Sequence, residues 1–416
     1  MRRQRGAVFI VMLVFMIMGV AAFLVSSLNS SAIQIARDQV TADALAQAKE
    51  ALIGWSVSRG DIAGIPRPGE LPCPDTHAPG TLNYGTQSGS CSAGAIGRLP
   101  WKTLGIEEPK DGYGETLWYA IDGAFRTRPS NNMPINSDTR ASMLVYDRDS
   151  TTFLTPSGLE AVAIIFATGP AIGTQKRGTS TEQTAETNYL DNAIPPAVTV
   201  ARNNAVANGP FIQGSVKNTD GSMAINDRLL IITTKDLIPT VEKRVASEVR
   251  AMLKSYFDTY GYYPYPAKYN DAYCVDLLNS TNCQSDSSQC VGRLPDTANT
   301  TTPSTPDWLS VPNWFYYNLW GQVIYYAVGT NYLKSSPANC STTLTINGIS
   351  GTPGLFIMPG TPLGAIPPRN SPSQSTTLST YLEDATNQNG WTTIPPLSDH
   401  YITPTANSND RMQILP

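Results

Sequence analysis

The chain has 416 residues, more than one ordinary domain core accommodates, so its length predicts two to three domains. With 29 Lys and Arg residues against 33 Asp and Glu residues, the net charge is only −4, which argues against nucleic acid as the main partner. Charged residues make up only 15% of the chain, and its two histidines, His77 and His400, lie far apart, so the composition favours an exported protein over an enzyme with a histidine-based site.

A long apolar segment lies near the N-terminus. Residues 7–25 are 19 consecutive uncharged and almost wholly apolar residues, which as a helix match the roughly 30 Å thickness of a bilayer core. Arg2, Arg3 and Arg5 precede this segment, and no Lys or Arg follows it before Arg37. The positive-inside rule therefore predicts a single-pass protein with a cytoplasmic N-terminus and its later domains across the membrane.

The apolar segment continues into an amphipathic helix. As far as Gly60, apolar residues recur at helical spacings of three and four, at Ile33, Ala36, Val40, Ala44, Ala48, Ala51 and Trp55. The two parts predict one helical rod over 7–58, roughly 80 Å long, whose transmembrane half is 7–28. A cleaved secretory signal has a shorter apolar stretch followed by a small-x-small site, so the continuation favours the rod.

The cysteines agree with export. All six lie beyond the membrane segment, at Cys73, Cys91, Cys274, Cys283, Cys290 and Cys340. An even number on the oxidising side predicts up to three disulfide bonds. No CxxC pair occurs, and two histidines do not complete the usual zinc ligand sets.

The rest of the chain contains an internal repeat. The first helix is followed by LPCPD (71–75), GRLPW (97–101) and GETLWYAID (114–122). A second predicted helix (239–261) is followed by YYPYPA (262–267), GRLP (292–295) and NLWGQVIYYAVG (318–329). Further blocks match in the same order, IIFATGPAIG (164–173) with LFIMPGTPLG (355–364), NYLDNA (188–193) with TYLEDA (380–385), and NDRLLII (226–232) with NDRMQIL (409–415). The blocks predict two copies of one unit, over 29–232 and 233–416.

Each unit has the pattern of a helix followed by short strands. The strand segments are rich in β-branched and aromatic residues, at 117–121, 161–167 and 228–234 and again at 323–328, 354–359 and 411–415. A helix packed on a small antiparallel sheet is the layered arrangement that this pattern favours. The predicted fold class is α+β, a long N-terminal membrane and amphipathic helix followed by two tandem helix-plus-antiparallel-sheet domains, with long polar loops at 174–225 and 365–408.

The repeat also suggests how the cysteines pair. Cys73 and Cys91 precede the GRLP block of the first copy, as Cys274 and Cys290 do in the second. By this symmetry we expect Cys73–Cys91 and Cys274–Cys290 bonds. Cys283 is then left to pair with Cys340.

The N-terminus and one repeated block resemble a known family. Residues 1–6 form a short basic leader that ends in Gly6, and the small Ala7 and a long apolar helix follow it. This layout resembles a type IV prepilin, and the pseudopilins of type II secretion share it. The blocks GETLWYAID and NLWGQVIYYAVG are similar to the DPWGNPY-x-Y element of the major pseudopilins, which also follows a helix that ends in a Tyr-Pro motif.

The resemblance implies a subunit that prepilin peptidase cuts after Gly6 and whose new N-terminus, Ala7, is methylated. It implies the bacterial inner membrane, prepilin peptidase and other pilin or pseudopilin subunits as partners, with the two units periplasmic or at the cell surface and the chain filament-associated after processing. Val11 stands at the fifth mature position, where major subunits carry a glutamate, so the likeness is to a large minor subunit at or near a filament tip. The expected role is therefore structural, not enzymatic.

Candidate metal-binding and catalytic patterns are sparse. No GxSxG elbow, P-loop, HExxH or EF-hand loop occurs in the sequence. Acidic residues cluster loosely at Glu107, Glu108, Asp111 and Glu115 and at Asp271, Asp276 and Asp286. Their spacing favours solvated loop charge over a metal site, and no cofactor is expected. Calcium, which pseudopilins often hold in a loop near the end of the sheet, is the one metal that the resemblance leaves open.

Two tryptophans are candidates for a binding surface. Trp308 and Trp314 each follow a proline by two residues, and among the dense aromatic residues of this region they are the ones expected to be exposed and to contact a sugar or a protein. The alternative function is accordingly a signal-anchored cell-surface adhesin or glycan-binding protein that never enters a filament. A periplasmic enzyme is a third possibility, with no catalytic constellation in its favour.

Overall fold

The structure is a computed structural model. It describes residues 5–59, 67–91, 94–127, 134–269, 285–295, 311–312, 314–315, 318–338, 340–363, 369, 377–390, 399–405 and 408–416, and between residues 5 and 30 it describes the side chain of Met16 alone. The α-helices are α1 (Arg5–Ser58), α2 (Trp101–Leu104), α3 (Thr234–Tyr260), α4 (Trp320–Val323) and α5 (Ala385–Asn389). Short 3-10 turns lie at Glu182–Thr184, Glu186–Asn188, Thr330–Tyr332 and Leu378–Thr380.

The strands are short, and each of the longer ones carries the apolar residues of one repeated block. In chain order they are β1 (Ala95–Arg98), β2 (Trp118–Ile121), β3 (Val145–Tyr146), β4 (Ala161–Ala167), β5 (Asn192–Ala193), β6 (Arg202–Asn203), β7 (Phe211–Ile212), β8 (Val216–Lys217), β9 (Met223–Ile225), β10 (Arg228–Thr233), β11 (Val291–Arg293), β12 (Tyr325–Val328), β13 (Leu344–Ile346), β14 (Ile349–Thr352), β15 (Gly354–Met358), β16 (His400–Tyr401) and β17 (Arg411–Leu415).

Two four-stranded sheets with the same topology form the framework. The first sheet has the order β1-β2-β4-β10 and the second sheet the order β11-β12-β15-β17, and every pairing in both sheets is antiparallel. The strand segments predicted in each unit form these sheets, which confirms the α+β class with antiparallel sheets. We keep the name first unit for residues 29–232, which contain the first sheet, and second unit for residues 233–416, which contain the second.

The edge strands β1 and β11 were not predicted, although both end in the repeated Gly-Arg pair, which we call the GR block. Gly97 lies against the backbone of Asp75, and a Cβ added to Gly97 would lie 2.7 Å from the Asp75 carbonyl oxygen. The equivalent Gly292 packs against the Ala267 carbonyl oxygen in the same way. Such a close approach of two chain segments requires glycine, which explains why the block repeats.

Helix α1 confirms the helix predicted over 7–58. Its C-terminal third packs on the first sheet through Ala44, Leu45, Ala48 and Leu52, which are at most 8% exposed. Toward the N-terminus, Ile33 and Ala36 of the predicted apolar face are exposed, and α1 projects beyond the sheet there. The predicted membrane segment 7–28 lies, Met16 excepted, outside the residues whose side chains are described. Within the described part of the chain, no helix has the length and apolar character needed to cross a bilayer.

Helix α3 joins the two sheets. Strand β10 ends at Thr233 and α3 begins at the next residue, where Thr233 caps the helix and its N–H donates to Asp236 Oδ2 (2.8 Å). Val241 and Val245 on the predicted apolar face are fully buried, whereas Tyr260 at the end of that face is 47% exposed. Because α3 packs against α1, β10 and β17, one hydrophobic core extends through both units.

The segment predicted as a polar loop over 174–225 is a folded layer. It contains β5 to β9 and two 3-10 turns, and it covers the outer face of the first sheet. Trp118 and Phe166 on that face pack with Tyr189 and Phe211 of the layer in a second core. The second polar segment, 365–408, is described only in part, at Arg369, 377–390, 399–405 and Ser408.

Candidate functional site

The predicted processing residues lie at the start of α1. Gly6 and Ala7 are in its first turn, and their surroundings fall outside the described side chains. Further along the same helix, Ile33 and Ile35 are 54% and 69% exposed. A groove of about 450 Å³ lies beside Ile35, between α1 and β10, and Leu229 contributes to its wall. The projecting part of α1 thus offers apolar side chains to a neighbour.

The cysteine pairing agrees with the prediction in the first unit only. Cys73 and Cys91 are joined, as expected, with an S–S distance of 2.09 Å. Cys290 is joined to Cys340 (2.08 Å), so the expected Cys274–Cys290 and Cys283–Cys340 bonds are wrong. Cys290 directly precedes β11, and its carbonyl oxygen accepts from Val328 N–H at the end of β12 (2.9 Å). The chain that leaves β12 then returns to Cys290 with Cys340. Cys274 and Cys283 lie outside the described residues.

Trp314 is not an exposed binding residue. It is 6% exposed, packs edge-on against Phe315 and lies 5.7 Å from the guanidinium carbon of Arg244 on α3. The predicted exposure was wrong because the segment after Pro312 turns into the core beneath α3. Trp308 lies outside the described residues.

The acidic residues singled out in the sequence do not converge. Glu108 accepts hydrogen bonds from the hydroxyls of Tyr84 (2.5 Å) and Thr116 (2.6 Å), and Asp111 Oδ2 accepts one from Gly169 N–H (2.8 Å). Glu107 is exposed. In the second unit Asp286 pairs with Lys268, whereas Asp271 and Asp276 lie outside the described residues. Over the described part of the chain, no three potential metal ligands come together.

The two histidines also lie apart, each beside a neighbouring carboxylate. His77 Nδ1 is 2.7 Å from Asp75 Oδ1, and His400 Nδ1 is 2.7 Å from Asp399 Oδ1. The His400 side chain is 60% exposed and that of His77 is 31% exposed. His77 belongs to a loop, and His400 is the first residue of β16.

A half-buried arginine on a tyrosine ring marks the outer face of the first sheet. The guanidinium carbon of Arg177 lies 4.4 Å from the ring centre of Tyr189. Arg177 donates to the carbonyl oxygens of Gly169 (2.9 Å) and Asn188 (2.8 Å). Its Nη1 is also 2.9 Å from Oε1 of Glu115, so the first unit supplies its own carboxylate. We call this group the first arginine–tyrosine site.

The second unit repeats the group almost contact for contact. The guanidinium carbon of Arg369 lies 4.7 Å from the ring centre of Tyr381. Arg369 donates to the carbonyl oxygens of Gly360 (2.8 Å) and Thr380 (2.6 Å). Here the carboxylate belongs to Asp138 of the first unit, whose Oδ1 is 3.6 Å from Arg369 Nη1 and whose Oδ2 accepts from the Tyr381 hydroxyl (3.0 Å). This is the second arginine–tyrosine site.

Each site has a further arginine, which comes from the GR block. Arg98 lies 5.0 Å from the ring centre of Trp118 and 5.5 Å from that of Tyr189, and it is 3% exposed. Arg293, which is fully buried, lies 5.3 Å from the ring centre of Tyr325. Burial raises the pKa of Tyr189, and the positive charge of Arg98 opposes that rise. The sequence marked the GR blocks as repeats without indicating that their arginines are buried among aromatic rings.

Residues 134–139, which we call the clasp loop, carry Asp138 into the second unit. Ile135 N–H donates to Asn318 Oδ1 (2.9 Å), and the Ser137 hydroxyl donates to Oε1 of Glu242 on α3. Glu242 is 1% exposed, and burial raises its pKa to about 7. Burial also raises the pKa of Asp138, against the positive charge of Arg369. The clasp loop is therefore a buried polar contact between the units.

A pair of neighbouring carboxyl groups also occurs in both units. Asp191 N–H donates to Asp227 Oδ2 (2.8 Å), and in the second unit Ser408 bridges the pair by donating to Glu383 Oε2 (2.8 Å) and accepting from Asp410 N–H (3.1 Å). Burial raises the pKa of Asp191 to about 6 and, together with the charge of Asp191, raises that of Asp227. Burial and the charge of Glu383 raise the pKa of Asp410 to about 8. In each pair, burial and the charge of the neighbouring carboxylate together raise the pKa of one carboxyl group.

Comparison with known proteins found no family model that matches the chain, and no curated protein or solved structure that is similar to it.

Proposed function

We propose that the chain is a minor pilin-like or pseudopilin-like subunit of a type IV pilus or type II secretion filament, processed after Gly6. The observation that carries the proposal is the form of α1, a helix of 54 residues whose C-terminal third packs on the first sheet. On the N-terminal side of this third, Ile33, Ile35 and Val40 are about half exposed or more. A helix that is anchored at one end and apolar but uncovered beyond it is suited to packing against the helices of neighbouring subunits.

The apolar sequence of 7–25 supports a first location in the inner membrane, because its length matches a bilayer core. In this proposal the two units lie outside the membrane, where the oxidising environment suits the Cys73–Cys91 and Cys290–Cys340 bonds. After processing, the apolar half of α1 leaves the bilayer and enters the filament.

Mass spectrometry of the N-terminus of the membrane-extracted chain tests the processing step. We expect a mature chain that begins at a methylated Ala7, and we expect the variant Gly6→Val to retain residues 1–6. Gly54→Ala is the matched control, since a Cβ added to this helical glycine meets nothing within 4 Å and leaves the leader unchanged. If the parent chain keeps residues 1–6, the filament proposal fails and the signal-anchored adhesin is favoured.

We also propose a position at or near the filament tip. Two units on one helix would crowd a regular lattice, and Val11 offers no carboxylate to the N-terminal amine of a neighbour. Immuno-gold labelling of isolated filaments tests this position. Label confined to one end supports it, whereas label along the whole filament contradicts it.

A further inference from the structure

We propose that the second arginine–tyrosine site is an acceptor for a carboxylate donated by another unit, and that Asp138 of the clasp loop fills it within this chain. The ligand is an Asp or Glu side chain presented on a loop. This proposal goes beyond the filament role, because it concerns how the two units recognise each other and holds whether or not the chain enters a filament.

The sheets align the two sites residue by residue. Trp118 in β2 and Tyr325 in β12 occupy equivalent places, since each lies opposite the arginine of its own GR block. Three residues before them, the first unit has Glu115 and the second unit has Gln322. Counted back from the aligned strands, the position that supplies the carboxylate in the first site carries a neutral amide in the second, where it lies in α4.

The exchange leaves the second unit without a carboxylate at the position equivalent to Glu115. Arg369 has a side chain that is 0% exposed, and a buried guanidinium is strongly disfavoured without a carboxylate nearby. Gln322 is 5% exposed and uncharged, so it does not neutralise Arg369. Asp138 does so from the first unit, through the Arg369 and Tyr381 contacts.

The clasp loop is shaped to deliver this side chain. Ile135 is fully buried against Gly69, where a Cβ would lie 2.6 Å from the Ile135 Cγ2 atom, so the glycine makes room for it. The contacts of Ile135 with Asn318 and of Ser137 with Glu242 then hold the residues on the N-terminal side of Asp138. The carboxylate reaches the second site from a segment that is fixed along its length.

Removing the carboxylate of Asp138 and adding one at Gln322, both in the full-length chain, tests the proposal. Asp138→Asn is expected to reduce the folding equilibrium constant on the order of 1,000-fold, as when one partner of a buried ion pair is removed. Adding Gln322→Glu to this variant is expected to recover most of the loss, because it restores the carboxylate at the place where the first unit has one. In the parent chain the same Gln322→Glu change is expected to destabilise, because two carboxylates then share one site. Unfolding is followed with denaturant at pH 7.

The opposite sign of the Gln322→Glu effect in the two backgrounds is the decisive result. Gln413→Glu, which adds the same charge to β17, is the control. It should not recover the stability that Asp138→Asn loses. If it recovers as much stability as Gln322→Glu does, the effect is one of net charge and the proposal is overturned. The proposal also fails if Asp138→Asn has no effect, or if Gln322→Glu is equally harmful in both backgrounds. Should Asp138→Asn not accumulate as folded protein, recovery of soluble chain by Gln322→Glu, and not by Gln413→Glu, gives the same decision.

Discussion

Replacing Glu242 by Gln should make the protein less sensitive to pH. The pKa of Glu242 is raised by burial from 4.5 to about 7, so the folded protein keeps this proton over a range in which the unfolded chain has lost it. The stability due to this group is therefore fully present below about pH 4.5, falls as the pH rises toward 7 and is constant above that. The rise corresponds to about 3 kcal/mol of unfolding free energy.

Glutamine cannot lose a proton and keeps a carbonyl oxygen to accept from Ser137. We therefore expect Glu242→Gln to be close to the parent at pH 5 and more stable than the parent at pH 8, by up to about 3 kcal/mol. Guanidinium unfolding followed by tryptophan fluorescence at both pH values measures the difference. Glu248→Gln, which removes another carboxylate from α3 outside the clasp contact, is the control. A loss of stability in Glu242→Gln that is equal at both pH values would refute the reasoning.

Three further predictions concern the framework. Cys340→Ser should lower the free energy of unfolding by about 2–4 kcal/mol, and peptide mapping of the unreduced parent should recover Cys290 joined to Cys340. Phe356→Ala removes a fully buried ring from β15 and should cost about 3–5 kcal/mol in a thermal or denaturant melt, whereas Ile349→Ala, at a site 73% exposed, should stay within about 0.5 kcal/mol of the parent. Gly97→Ala should destabilise the protein by about 1–3 kcal/mol, because the added Cβ overlaps a backbone carbonyl, and an unchanged melting temperature would show that β1 has room to shift.

The strands were predictable from the sequence because their signals are local. The continuous apolar run at 161–167 became β4 with the expected bounds, and the run at 411–415 became β17. Strands β1 and β11 were missed because a Gly-Arg pair has no strand signature, and what makes it a strand is the distant segment it pairs with.

The interface between the units was not predictable in the same way. That Asp138 faces Arg369 depends on how α3 sets one sheet against the other, which no spacing in the sequence encodes. The cysteine pairing failed for a related reason: repeat symmetry assumed equal partners, whereas the loop that carries Cys340 has no disulfide counterpart in the first unit. Trp314 shows a third limit, since a tryptophan after a proline fits both an exposed loop and a turn into the core.

The direct junction of β10 with α3 has a mechanical consequence. Force applied to the projecting end of α1 is transmitted to the first sheet through Ala48 and Leu52. It is transmitted to α3 through the Lys49–Asp236 ion pair (2.7 Å) and through the contact of Arg244 with the Val57 carbonyl oxygen. With no linker between Thr233 and Thr234 to stretch first, tension spreads over both sheets together. The two units should therefore unfold in one step when force is applied to the projecting part of α1.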